Sequence, residues 1–204
     1  MSKVLITESY LTDIGNAIRY KNGSTSQYKP SEMAGAINDI PAQGSQDNTV
    51  LNSILDRSIS GDYVNNDLTE IGRYAFDFCD NLTSATFTKA TKVDSSAFSD
   101  CRSLESISLP EVKEIEQSAF AYCSSLKSIS MPKIEILSNN SSYWGIFDYC
   151  GMTTINIPST IQSIGSSTFE NTKITTINID RSANSISGAP WGAAGATVNW
   201  TGTR

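Results

Sequence analysis

The chain has 204 residues, with 15 Lys and Arg against 21 Asp and Glu and no histidine at all. The missing histidine excludes Ser-His-Asp and Cys-His catalysis and any His-ligated zinc. A formal charge of −6 makes phosphate backbones and anionic lipid poor partners, and no run of eighteen apolar residues is present to insert in a membrane.

Residues 1–45 read as a helical segment. Met1-Ser2-Lys3 leads into Val4-Leu5-Ile6, but Thr7 and Glu8 interrupt before a secretory core can form, so the chain is not expected to be addressed for export. Thr7 or Ser9 caps a predicted helix whose apolar face is Leu11, Ile14, Ala17 and Ile18, with Gly23 just past its end. Pro30 and Ser31 open a second helix striped by Met33, Ala36, Ile37 and Ile40. Two helices this short bury little on their own, so the pair is expected to dock on a partner chain, a copy of itself or the neighbouring domain. Four basic residues (Lys3, Arg19, Lys21, Lys29) cancel four acidic ones (Glu8, Asp13, Glu32, Asp39), so the rest of the chain carries the whole net charge.

Residues 46–67 contain Ile54-Leu55-Asp56-Arg57-Ser58-Ile59 and Asp62-Tyr63-Val64, read as a cap over the domain that begins at Leu68. From Leu68 onward one pattern is written six times. Ile71-x-x-x-Ala75-Phe76-x-x-Cys79-x-x-Leu82 returns at Val93 and at Ile115. Phe76, Phe98 and Phe120 are 22 apart; Phe147, Phe169 and Trp191 resume that step after an interval of 27. Each copy ends in an alternating run, from Ser84-Ala85-Thr86-Phe87 to Thr197-Val198-Asn199-Trp200, as a half-buried strand requires. Pro110, Pro132 and Pro158 close three of these runs. One strand per repeat, stacked, predicts a single parallel sheet of six strands within a right-handed β-solenoid. The last repeat, with Trp191 and Trp200, serves as the C-terminal cap of residues 68–204.

These residues resemble the BspA-like (Treponema-type) leucine-rich repeat. The pattern covers roughly two thirds of the chain and is closest in its second and third copies. The fourth copy carries an insertion around Ser138 to Gly145 and brings Met152 one residue early; the fifth has Thr172 in place of cysteine; the sixth has Pro190-Trp191 in place of Ala-Phe. Such repeats are interaction scaffolds, so the resemblance implies a fold more sharply than a function. Residues 1–45, with Leu11-x-Asp13-Ile14-x-x-Ala17-Ile18-Arg19 and Tyr28-x-Pro30-x-Glu32-Met33-x-x-Ala36-Ile37, are similar to N-terminal segments of tail-associated structural proteins in phages of Gram-positive bacteria. Together the two resemblances imply a virion component of a phage tail or baseplate. Residues 1–45 would join it to other virion proteins, with homo-oligomerisation possible there, and the repeats would face a protein or cell-surface glycan. The alternative they leave is a bacterial cell-surface adhesin.

Four cysteines, Cys79, Cys101, Cys123 and Cys150, sit three residues after their phenylalanines and are expected to stack at about 4.8 Å steps. A line of sulfurs cannot be tetrahedral, which argues against zinc; reduced, buried packing is expected instead. On that reading Cys101→Ser would leave a buried hydroxyl ill satisfied. No phosphate-binding glycine loop or calcium loop is present, and no cofactor is implied. Acid pairs such as Asp94/Asp100 and Glu114/Glu116 read as a solvated face, so no enzyme activity is expected.

Two surfaces are candidates for recognition. One is the outward column of the strands, including Ser108, Ser130, Asn156 and Asn178, an uncharged face rich in hydroxyls and amides. The other is the insertion, where Asn139, Asn140, Tyr143 and Trp144 combine aromatic rings with amides; such a break in a strict repeat is a common place for function. The competing expectation is that Trp144 folds back as core.

Overall fold

In a computed structural model, residues 57–138 and 144–202 are described. They form twelve short strands and no helix; the helices expected in residues 1–45 lie outside them. The first five coils each lay down a longer strand, turn, lay down a two-residue strand and close through a tight turn bearing the core phenylalanine; among the described residues no short strand lies between the last two longer strands. The longer strands are β1 (Ser60–Asn65), β3 (Asn81–Phe87), β5 (Ser106–Ser108), β7 (Ser128–Ser130), β9 (Thr154–Ile157), β11 (Thr176–Ile179) and β12 (Thr197–Trp200). The short ones are β2 (Glu70–Ile71), β4 (Lys92–Val93), β6 (Glu114–Ile115), β8 (Ile136–Leu137) and β10 (Ser163–Ile164). Every pairing is parallel, and equivalent residues face each other across it, as in Ile107↔Ile129 and Val93↔Ile115.

Two features depart from the expected single sheet. The short strands form a second sheet in the order β10-β8-β6-β4-β2. Its signal was the fixed apolar position that opens each repeat. The longer strands, moreover, do not make one sheet: β1-β3-β5-β7 form one and β12-β11-β9 another. The break coincides with a one-residue deletion. Leu82, Leu104 and Leu126 follow their cysteines by three residues, whereas Met152 follows Cys150 by two and Ile174 follows Thr172 by two. The shortened turn runs so close to the coil before it that Gly151 N–H donates to the Cys123 carbonyl at 3.3 Å. A Cβ at Gly151 would lie 2.3 Å from the Ser124 carbonyl oxygen, so only glycine fits. Strands β9 and β11 share the shorter turn, each starting seven residues after its phenylalanine; β12 follows Trp191 by six and still pairs with β11, whereas β9 and β7 share no ladder.

The core is a row of rings. Phe76, Phe98, Phe120, Phe147 and Phe169 stack at centroid distances of 5.0, 5.3, 5.7 and 5.8 Å, with interplanar angles of 13° or less. Their spacing follows the strand separation, since each ring belongs to one coil. Tyr63 closes one end, 5.4 Å from Phe76. At the other end buried Trp191 meets Phe169 and Trp200 edge-on at 6.5 and 6.1 Å, with its indole N–H donated to the Ser187 carbonyl at 2.7 Å.

The four cysteines are free and fully buried. Three of the thiols donate to the carbonyl of the preceding coil's phenylalanine: Cys101 to Phe76 at 2.9 Å, Cys123 to Phe98 at 3.1 Å, Cys150 to Phe120 at 3.0 Å. An acceptor therefore waits at each of these positions, which corrects the expectation that a serine hydroxyl there would go unsatisfied.

Candidate functional site

The tight turn dictates where the exposed rings go. Two residues after each core phenylalanine the backbone enters the left-handed region, at Phe78, Asp100, Tyr122, Tyr149 and Asn171, with φ between 52 and 61°. Asn and Asp adopt this conformation readily; bulky aromatics do so at a cost. Three aromatics nonetheless occupy it, and the side chain at this offset is directed away from the core.

At the insertion two of them form a cluster. Tyr122 and Tyr149 stack at 5.0 Å and 12°, and Trp144 packs against Tyr122 at 5.6 Å, tilted by 55°. Trp144 is 44% exposed and Tyr149 is 49% exposed, whereas the phenylalanines behind them are fully buried. Trp144 therefore does not fold back as core. Gly145 explains why: a Cβ there would lie 2.3 Å from the Ser167 carbonyl oxygen, so the chain is pinned to the next coil immediately after Trp144.

Behind the cluster lies an anomaly. Asp148 is fully buried, and neither carboxylate oxygen has a hydrogen-bond partner among the described residues. Burial pushes its pKa up, the nearby Asn171 amide offsets part of this, and Glu170 adds to it. The Tyr122 phenol is also raised, by desolvation first and then by Tyr149, Asp148 and Asp100. The patch thus offers amphipathic rings in acidic surroundings. That suits stacking on a sugar ring or on an apolar or cationic side chain, and disfavours anions.

Of the residues named from sequence, Trp144 falls in this cluster, while Asn139, Asn140 and Tyr143 lie outside the described residues. Tyr122 and Tyr149 were missed; their signal was aromatic identity at an offset that also holds Phe78, Asp100 and Asn171. The strand-face residues form a separate surface. Ser108 and Ser130 are register neighbours across β5 and β7. Asn178 donates its side-chain amide to Asn156 at 2.9 Å, and Asn199 donates to Asn178 at 2.9 Å. Ser130 and Asn156 are not neighbours; they stand on opposite walls of a cleft of about 430 Å³ where the sheet is interrupted. Among the described residues no group of three metal-ligating side chains is assembled, and no helix is long and apolar enough to cross a membrane.

Comparison with known proteins bears on the fold. The family described as BspA type leucine rich repeat region matches residues 58–144 and 143–189, with six copies. Among solved structures, a leucine rich repeat protein of T. pallidum aligns over 66% of this chain with a TM-score of 0.53 and 19% identity. A leucine-rich repeat protein from Bacteroides ovatus and a leucine rich cell surface protein from Faecalibacterium prausnitzii align over 56% and 58%, at 25% and 23% identity, each with a TM-score of 0.45. The aligned part spans 64, 36 and 38% of those three chains. No curated protein matches the chain.

Proposed function

The chain belongs to the BspA-type leucine-rich repeat family, and from that premise we propose that it is a non-enzymatic interaction protein that meets its partner through the turn face of the fourth repeat. One observation carries this reading: Tyr122, Trp144 and Tyr149 pack together as a partly exposed cluster, next to the buried, unpartnered Asp148. Amphipathic rings held on a rigid coil bind sugars or side chains with little loss of freedom. The partner class is a protein or a cell-surface glycan. Residues 1–45 attach the repeats to a larger assembly, residues 46–67 cap the solenoid and residues 68–204 present the contact surface.

The similarity of residues 1–45 to tail-associated proteins supports a phage tail or baseplate as that assembly. The family itself supports the alternative, a bacterial surface adhesin. Binding of labelled full-length chain to intact Gram-positive cells tests the contact surface. The expected result is saturable binding lost in Trp144→Ala and Tyr149→Ala but kept in Trp200→Ala. Equal binding by all four proteins would sink the assignment. Light scattering on the full chain tests the attachment role: a defined oligomer that becomes monomeric on removal of residues 1–45 supports it, and a monomer in both forms refutes it.

A further inference from the structure

The interrupted face carries a second site, distinct from the aromatic cluster. Across the β5/β7 pair, Lys127 N–H donates to the Glu105 carbonyl at 2.9 Å and Leu109 N–H donates to the Ser130 carbonyl at 2.8 Å. Across the β9/β11 pair, Thr175 N–H donates to the Thr153 carbonyl and Asp180 N–H to the Ile157 carbonyl, both at 2.9 Å. No such bonds join β7 to β9 among the described residues, and the two strands share no ladder.

Backbone groups alternate sides along a strand, so these bonds fix the orientation of the rest. Thr153 and Ile157 face β11, which leaves the N–H and C=O of Thr154 and Asn156 directed toward β7, with Asn156 lining the cleft. On the opposite wall Ser128 and Ser130 face β5, which leaves Ile129 pointing in. Ile129 is only partly buried, although Ile107, Ile155 and Ile177 at the same column position are 3% exposed or less. The asparagine ladder adds a directed donor. Its bonds run from Asn199 to Asn178 to Asn156, so the Asn156 side-chain N–H groups are unspent at the cleft edge. Exposed Asp180 lines the same cleft.

We infer that this cleft is a docking slot for one extended peptide segment of a partner protein, which pairs with the free edge of β9 as an added strand. The unmet groups are those of a β-ladder, and extended backbone supplies their complement in the required alternation. A saccharide has no such periodic array of donors and acceptors. The slot selects an uncharged or basic segment, since Asp180 and the net charge of −6 oppose an acidic one. Four residues of β9 offer about 13 Å of edge, enough for a short motif.

The test uses the full chain in two steps. Amide exchange is first measured by NMR: Ile129, Thr154 and Asn156 should exchange far faster than Ile107, Ile155 and Ile177. Slow exchange at all three would overturn the inference, because the slot would then be filled already, by the chain itself or by a second copy. A displayed random-heptapeptide library is then selected on the wild-type chain and counter-selected on Asn156→Pro. That substitution removes a cleft-facing N–H while leaving the bonds to β11 in place. Enriched peptides should slow exchange at Thr154 and Asn156, and should bind Asn156→Ala at least about tenfold more weakly through loss of the side-chain donor. Enrichment of peptides that leave these amides unprotected, or no enrichment over Asn156→Pro, would refute it.

Discussion

Asp77 offers a quantitative test of how the turn face is built. Its side chain is 13% exposed and lies 3.7 Å from the Arg57 guanidinium, an ion pair that should lower its pKa. Burial outweighs that attraction, Asp100 adds repulsion, and the carboxyl is raised from 3.8 to about 6. Between those values the folded chain holds a proton that the unfolded chain has released, so stability is lost as pH rises through this window and the loss is complete above it. Two pKa units correspond to about 3 kcal/mol, and solvent screening of this partly exposed pair reduces the expected effect to ~1–2 kcal/mol. Asn mimics the protonated acid, and Arg57 keeps its contact with the Phe78 ring at 5.1 Å after the exchange. Asp77→Asn should therefore match wild type near pH 4 and exceed it by ~1–2 kcal/mol above pH 7. Urea unfolding of both proteins from pH 4 to pH 8, followed by tryptophan fluorescence, measures the difference directly. A difference independent of pH, or a variant less stable than wild type above pH 7, would show that the Arg57 pair and not burial governs this site.

Other consequences are as direct. Phe98 is fully buried between Phe76 and Phe120, so Phe98→Ala should cost about 3–5 kcal/mol in chemical denaturation; a loss under about 2 would mean the coils close over the gap. Gly151→Ala drives a methyl group onto the Ser124 carbonyl and should lower stability by about 2 kcal/mol or more, and an unchanged melting temperature would disprove the close approach. Burial raises the Cys101 and Cys123 thiols far above their ordinary range, so iodoacetamide should leave the native chain unlabelled there; rapid labelling would contradict the reduced, buried column. Cys101→Ser should cost no more than Cys101→Ala, because the Phe76 carbonyl receives its hydroxyl, and a clearly larger cost in thermal unfolding would show that oxygen cannot reach it.

What was legible in the sequence was whatever repeats. The 22-residue step placed the phenylalanine stack, the cysteine column and the longer strands, because each coil must bury the same face against the next. The irregularities were visible as letters, but their effect was not. Met152 arriving one residue early reads as a slip in spacing; only the three-dimensional structure shows that the longer strands divide into two sheets at that place and that Ser130 stands apart from Asn156. Tyr122 and Tyr149 were hidden for a different reason. Their exposure depends on left-handed backbone in the turn, which leaves no periodic hydrophobic signal when the residue is aromatic.

The divided face also has a mechanical meaning. At the boundary between β7 and β9 the coils remain tied on their other two sides, by the β8–β10 pairing and by the turn bonds from Phe147 to Thr168 and from Tyr149 to Asn171. A rod fastened along two edges and open along the third does not stretch under load; it bends like a book about its spine. Tension applied along the solenoid should widen the gap between Ser130 and Asn156 before it strains any ladder elsewhere. The fourth repeat is then the compliant joint of an otherwise stiff rod.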